Sequence, residues 1–129
     1  MTSLTSVRDA IAELAQRFGW RLVIQFGSSV AHPETARDID IAVLPARKAE
    51  LDERGRWLAA LETLFAPRKV DLLVVDEVVS PLARFEVFRT GHCLYEAEAG
   101  LFSREQDRAF FLYADSEKFR RTAREILHE

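Results

Sequence analysis

The stretch 26–44 reads FGSSVAHPETARDIDIAVL, and the fold turns on how it is read. A strand of strong β-formers ends at Gly27-Ser28, a polar spacer follows, and a second strand opens with Asp38-Ile39-Asp40. Side chains two apart on a strand share a face. Asp38 and Asp40 therefore project together while Ile39 and Ile41 point into a core. The run then becomes wholly apolar, as expected of a strand whose far end is buried on both faces. A chain that only needed to fold would gain nothing from two adjacent acids, because like charges on one face repel.

Working outward, residues 20–26 (WRLVIQF) form the first strand, rich in β-branched and aromatic residues. Before it, Val7, Ile11, Leu14 and Phe18 fall at helical spacing over residues 5–18, with Ser6 as N-cap and Gly19 as the stop. After the second strand, which Pro45 ends, residues 49–65 predict a helix with Leu51, Leu58, Leu61 and Phe65 on one side, and Pro67 blocks its continuation. Residues 69–75 (KVDLLVV) are the third strand. Ser80-Pro81 is an N-cap followed by proline at the first helical position, opening a helix to Thr90 with Gly91 as its stop. Residues 92–96 fit a short edge strand. Ser103 and Gln106 match a capping box opening a last helix, aromatic at Phe110, Phe111, Tyr113 and Phe119 and mixed in charge thereafter. This order predicts an α/β (α+β) fold: a single mixed β-sheet flanked by helices, with a long C-terminal helix.

The totals agree. The 129 residues suit one domain, divided into a core over 1–96 and a helical segment over 101–128. Hydrophobic content of 48% and charged content of 30% are those of a folded soluble protein. No apolar run approaches the ~20 residues that cross a bilayer, and the polar, amphipathic N-terminus lacks the apolar core of a secretory signal. A cytoplasmic protein with no membrane partner is expected. The single Cys93 excludes an intrachain disulfide and reads as a buried structural thiol. A net charge of −3 argues against gripping long nucleic acids through their phosphates.

The acids carry the chemistry. Paired carboxylates are offset by a divalent cation, and hard oxygen ligands suit Mg²⁺, usually shared with substrate phosphates. Asp71 interrupts an apolar strand, where a lone buried acid is costly. If that strand lies beside the Asp38–Asp40 strand, Asp71 completes a three-carboxylate cluster that holds metal and assists deprotonation of an attacking hydroxyl. Gly27 allows a sharp turn and close approach of a ligand. The following N–H groups, those of Ser28 and Ser29, and the Ser28 hydroxyl then face phosphate oxygens. A nucleoside triphosphate fits between donors and metal ligands.

These residues, GS at 27–28, DID at 38–40 and VD at 70–71, resemble the minimal nucleotidyltransferases of the polymerase-beta-like superfamily. The resemblance covers roughly residues 5–96. The last helix, with FFLYADSEKFRR, is similar to the tail of members paired with HEPN toxins in toxin–antitoxin operons. The chain departs from the family pattern at His32, where a second glycine is usual, and at Arg37, where serine is usual before the first acid. The resemblance implies a nucleotidyltransferase with Mg²⁺ and ATP that transfers AMP to a hydroxyl of a HEPN-type toxin and silences it as its antitoxin. It implies Asp38, Asp40 and Asp71 as catalytic and metal-binding residues and Gly27, Ser28 and Ser29 as the nucleotide-phosphate site. Two other readings stay open: a binding module that masks its partner without catalysis, and a small-molecule nucleotidyltransferase. Arg37 reads as a phosphate contact, a surface residue or a salt-bridge partner. His32 reads as a loop residue without chemical duty. The cluster Lys118, Arg120, Arg121 and Arg124, interleaved with Glu117 and Glu125, reads as a solvated face. The aromatic group at 110–113 fits a subunit interface, in a homo- or hetero-oligomer.

Overall fold

A computed structural model describes residues 4–33, 37–76 and 78–127. Helix α1 (Leu4–Phe18) leads into strand β1 (Trp20–Phe26), a one-turn helix α2 (Ser28–Ala31) and strand β2 (Asp38–Pro45). Helix α3 (Leu51–Phe65), strand β3 (Lys69–Val74), helix α4 (Pro81–Thr90), strand β4 (His92–Glu96) and helix α5 (Leu101–Leu127) complete the order. The four strands form one mixed sheet, β3-β2-β1-β4. β1 is antiparallel to both neighbours, whereas β2 and β3 run parallel. A parallel pair needs a crossover connection, and α3 is that crossover.

Alternation along β2 divides the molecule into two layers. Ile39, Ile41 and Val43 point to one face, where Trp20, Val23, Trp57 and Leu61 join them beneath α1 and α3. Trp20 and Trp57 meet edge to face, with ring centroids 5.8 Å apart. Ala42 points the other way, into a second cluster with Leu22, Ile24, Val75, Val87, Phe88 and Leu101 beneath α4 and α5. Asp38 and Asp40 share the Ala42 face by the same alternation.

Several helix ends differ from expectation. α1 starts at Leu4, so Ser6 lies within its first turn rather than capping it. Of the expected stripe of α3, Leu61 is buried and Leu58 and Phe65 pack against the core, whereas Leu51 is 86% exposed and Trp57 is buried in addition. α5 starts at Leu101, which places Ser103 inside the helix. The carboxylate of Glu96, at the end of β4, accepts from the Gly100 and Phe102 N–H groups at 3.2 and 2.9 Å and supplies the cap from outside the helix. Gln106 donates to the Phe88 carbonyl at 2.9 Å and ties α5 to α4. Ser80 caps α4 as expected, its hydroxyl accepting from the Ala83 N–H at 3.1 Å. Cys93 is half-buried and free, and burial pushes its thiol up. No described helix is long and apolar enough to cross a membrane.

Candidate active site

β1 carries the chain up to Phe26, and Gly27 turns it. Gly27 has φ +75° and ψ −153°, a backbone state essentially restricted to glycine. The reason for the turn lies next door. A Cβ at position 27 would collide with Oδ2 of Asp40 and lie 3.3 Å from its Cγ. The Asp40 carboxylate is thus packed against the bare glycine backbone. Beyond Gly27, α2 presents Ser28 to solvent and buries Ser29. The Ser29 hydroxyl faces inward, accepting from Gln25 Nε2 at 3.1 Å and lying 3.4 Å from the Phe26 carbonyl oxygen.

Asp40 is the centre of the arrangement. By strand register it sits opposite Phe26 on β1 and opposite Asp71 on β3. Parallel partners in register project to the same side, so Asp71 joins Asp38 and Asp40 on one face. Asp38 and Asp71 are exposed and Asp40 is half-buried. The Asp40 carboxyl is held above the ordinary aspartate value, first by burial, then by the charges of Asp71 and Asp38, and by a hydrogen bond shared with Asp71. Among the described residues none of the three acids has an ion-pair partner, although Lys69 is the strand partner of Asp38.

All-oxygen donors and mutual repulsion fit a hard divalent cation. The described residues nevertheless contain no group of three His, Cys, Asp or Glu side chains assembled tightly enough to hold a metal ion. Asp40 and Asp71 are register partners on neighbouring strands, with Asp38 beside them as a further charge. Arg37 and His32 are exposed, and Arg37 makes no ion pair among the described residues. Asp71 also borders an open groove of about 630 Å³ along the free edge of β3. Leu51, Leu58, Val70, Leu72 and Val79 make that groove mainly apolar.

Two supporting residues were not singled out from the sequence. Gln25 anchors α2 through Ser29, and its signal is a neutral polar side chain inside an otherwise apolar strand end. Arg68 Nη2 donates to the Pro33 carbonyl at 2.8 Å, linking the foot of β3 to the loop after α2. No local pattern in the sequence announces a contact spanning that distance.

The sequence matches the family model for polymerase beta nucleotidyltransferases over residues 9–99. No curated protein gives a significant sequence match. The fold is similar to a chain in the crystal structure of a toxin–antitoxin with AMP-PNP, at TM-score 0.75 and 20% identity, covering 95% of this chain and 98% of that one. It is similar to a chain in the structure of a tri-AMPylated Shewanella oneidensis HEPN toxin in complex with MNT antitoxin, at TM-score 0.72 and 19% identity, covering 98% and 100%. A chain of a toxin–antitoxin MntA–HepT structure gives TM-score 0.71 at 19% identity, covering 97% and 99%.

Proposed function

The chain belongs to the polymerase beta nucleotidyltransferase family, and we propose that it transfers AMP from ATP to a hydroxyl of a HEPN-type partner protein, acting as the antitoxin that neutralises it. The observation carrying this reading is the placement of Asp40, in register with Asp71 on one side and packed against the Gly27 turn on the other. Asp38, Asp40 and Asp71 are the residues that would hold Mg²⁺, whose chemistry when bound is neutralisation of phosphate charge. The Ser28 and Ser29 backbone N–H groups, in the turn that α2 makes beyond Gly27, are the triphosphate donors in this reading. The Ser28 hydroxyl is exposed for a further contact, whereas the Ser29 hydroxyl is engaged internally.

In the transfer itself, Asp71 takes the proton of the acceptor hydroxyl at its carboxylate. The freed oxygen bonds to the α-phosphorus, the bond from that phosphorus to the bridging oxygen breaks in line, and pyrophosphate leaves. Positioning and charge stabilisation supply most of the rate. Residues 1–96 form the catalytic core in this reading, and the segment 101–128 faces the partner. Phe111 and Phe119 of α5, 72% and 74% exposed, support that assignment. The structural neighbours, one a complex with AMP-PNP and one containing a tri-AMPylated HEPN toxin, support AMP transfer to a HEPN-type partner.

The test mixes protein, labelled ATP and Mg²⁺ with the candidate partner, beside an Asp38→Ala/Asp40→Ala control. Label on the partner that disappears in the control upholds transfer. Neutralisation that survives the double substitution, with no label transferred at any time, replaces it with masking.

A further inference from the structure

The opposite end of the sheet holds a pocket of about 400 Å³. It lies where β2 and β3 finish, on the face that also carries Asp40. Leu44, in its wall, is four residues beyond Asp40 on β2, about 13 Å along the strand. The layer of Ala42, Val87 and Phe88 lies between them.

Its charge is lopsided. Arg21, Arg47, Lys48, Arg84 and Arg108 line it, against the acids Asp76 and Glu105. Asp76 is already engaged. Its carboxylate accepts from Arg54 of α3 at 2.8 Å and from the Val78 N–H at 3.0 Å. Glu105 forms no ion pair within 4.0 Å with any described residue. Arg21 and Arg47 reach carboxylates only loosely, at 3.9 Å to Glu98 and 3.6 Å to Glu53. Lys48 and Arg108 form no ion pair among the described residues.

Arg84 gives the strongest indication. It is half-buried on α4 and donates to the backbone carbonyl of Asp76 at 2.8 Å, with no carboxylate in ion-pair contact. Burial, and then the neighbouring charge of Arg108, lower its pKa, and the nearby charges of Glu105 and Asp76 offset this only in part. A guanidinium partly withdrawn from water beside a second guanidinium is an arrangement that costs free energy until an anion separates the two. Guanidinium forks suit phosphate, which accepts parallel hydrogen bonds from them. The cations also come from four parts of the chain: the start of β1, the loop after β2, α4 and α5. In a chain whose net charge is −3, this concentration is local rather than general.

We propose that this pocket binds a phosphate-bearing small anion, with Arg84 and Arg108 gripping the phosphate and Lys48 closing over it. The site is separate from the carboxylates and does not depend on the transfer reaction. The experiment titrates the full chain with pyrophosphate and with ADP by isothermal calorimetry, in EDTA and low salt, so that metal-dependent uptake at the carboxylates is silent. Binding is expected, weakened at least tenfold in Lys48→Gln/Arg108→Gln and unchanged in Asp38→Asn/Asp40→Asn. Both variants alter exposed or half-buried charges outside the apolar core, and circular dichroism verifies their folding. Equal affinity for the two probes assigns free phosphate as the ligand chemistry, and tighter ADP binding assigns a nucleotide. Either supports the pocket. Absence of heat with both probes to millimolar concentration overturns it. So does affinity unchanged in Lys48→Gln/Arg108→Gln, or lost only in Asp38→Asn/Asp40→Asn.

Discussion

Replacing Gly27 by alanine tests the centre of the site. Two costs combine. The backbone at φ +75° and ψ −153° lies where side-chain-bearing residues are strained, by about 1–3 kcal/mol. The new Cβ also strikes Oδ2 of Asp40. To relieve the collision the Asp40 carboxylate must leave its preferred rotamer, at a cost of about 1 kcal/mol. Together the loss is about 2–4 kcal/mol. For a chain of this length each kcal/mol moves the melting temperature by about 3.7 °C, so Gly27→Ala should melt about 7–15 °C lower. Thermal and urea unfolding measure it. Repeating the substitution in an Asp40→Ala background separates the two costs, because the collision is gone and the backbone strain remains. Gly27→Ala should then cost about 1 kcal/mol less than in the parent. A stability change below about 0.5 kcal/mol in the parent refutes the backbone argument. Equal costs in both backgrounds refute the contact with Asp40.

Arg54→Ala probes the ion pair behind the β3 end. Burial pushes the Asp76 carboxyl up, but Arg54 and the Val78 and Val79 N–H groups outweigh it, and the net pKa is lowered from 3.8. A lowered acid stabilises the fold above its unfolded value and loses that contribution as pH falls through the folded one. Arg54→Ala should therefore cost about 1 kcal/mol at pH 7, with the gap from the parent closing as acid unfolding proceeds below 3.8; a gap independent of pH contradicts the pairing. Ile41, fully buried between the sheet and α1–α3, should cost about 2–5 kcal/mol on replacement by alanine, read from the urea midpoint. Glu96→Ala removes both acceptors capping α5. A loss of about 1–2 kcal/mol is expected, with faster amide exchange at Gly100 and Phe102. Unchanged exchange at both amides would show that Glu96 is not the cap.

The strands were legible because their composition leaves little choice: WRLVIQF forms β1 over the residues its β-formers predict. Helix starts were less so. Ser103 and Gln106 have the spacing of a capping box, yet a carboxylate on the preceding strand reaches the α5 amides first. Leu51 matched the helical stripe of α3 but is exposed in its first turn, while Trp57, outside the expected stripe, is buried. The site was readable in its residue types and only conditionally in its geometry. Asp38 and Asp40 share a face by arithmetic alone, whereas Asp71 joins them only because β3 pairs with β2 in one register. The inward turn of the Ser29 hydroxyl depends on Gln25, and the cationic pocket on residues spread from 21 to 108. Neither arrangement leaves a local pattern.

The parallel pairing of β2 with β3 has one more consequence. A slip of a single residue between these strands would rotate the acid at position 71 to the far side of the sheet, into the layer of paired tryptophans. The burial of Val70 and Val74 opposes that slip, so two valines with no chemistry of their own guard the alignment. Errors in maturation should accordingly divide molecules into those that hold position 71 beside Asp40 and those that do not, with no intermediate population.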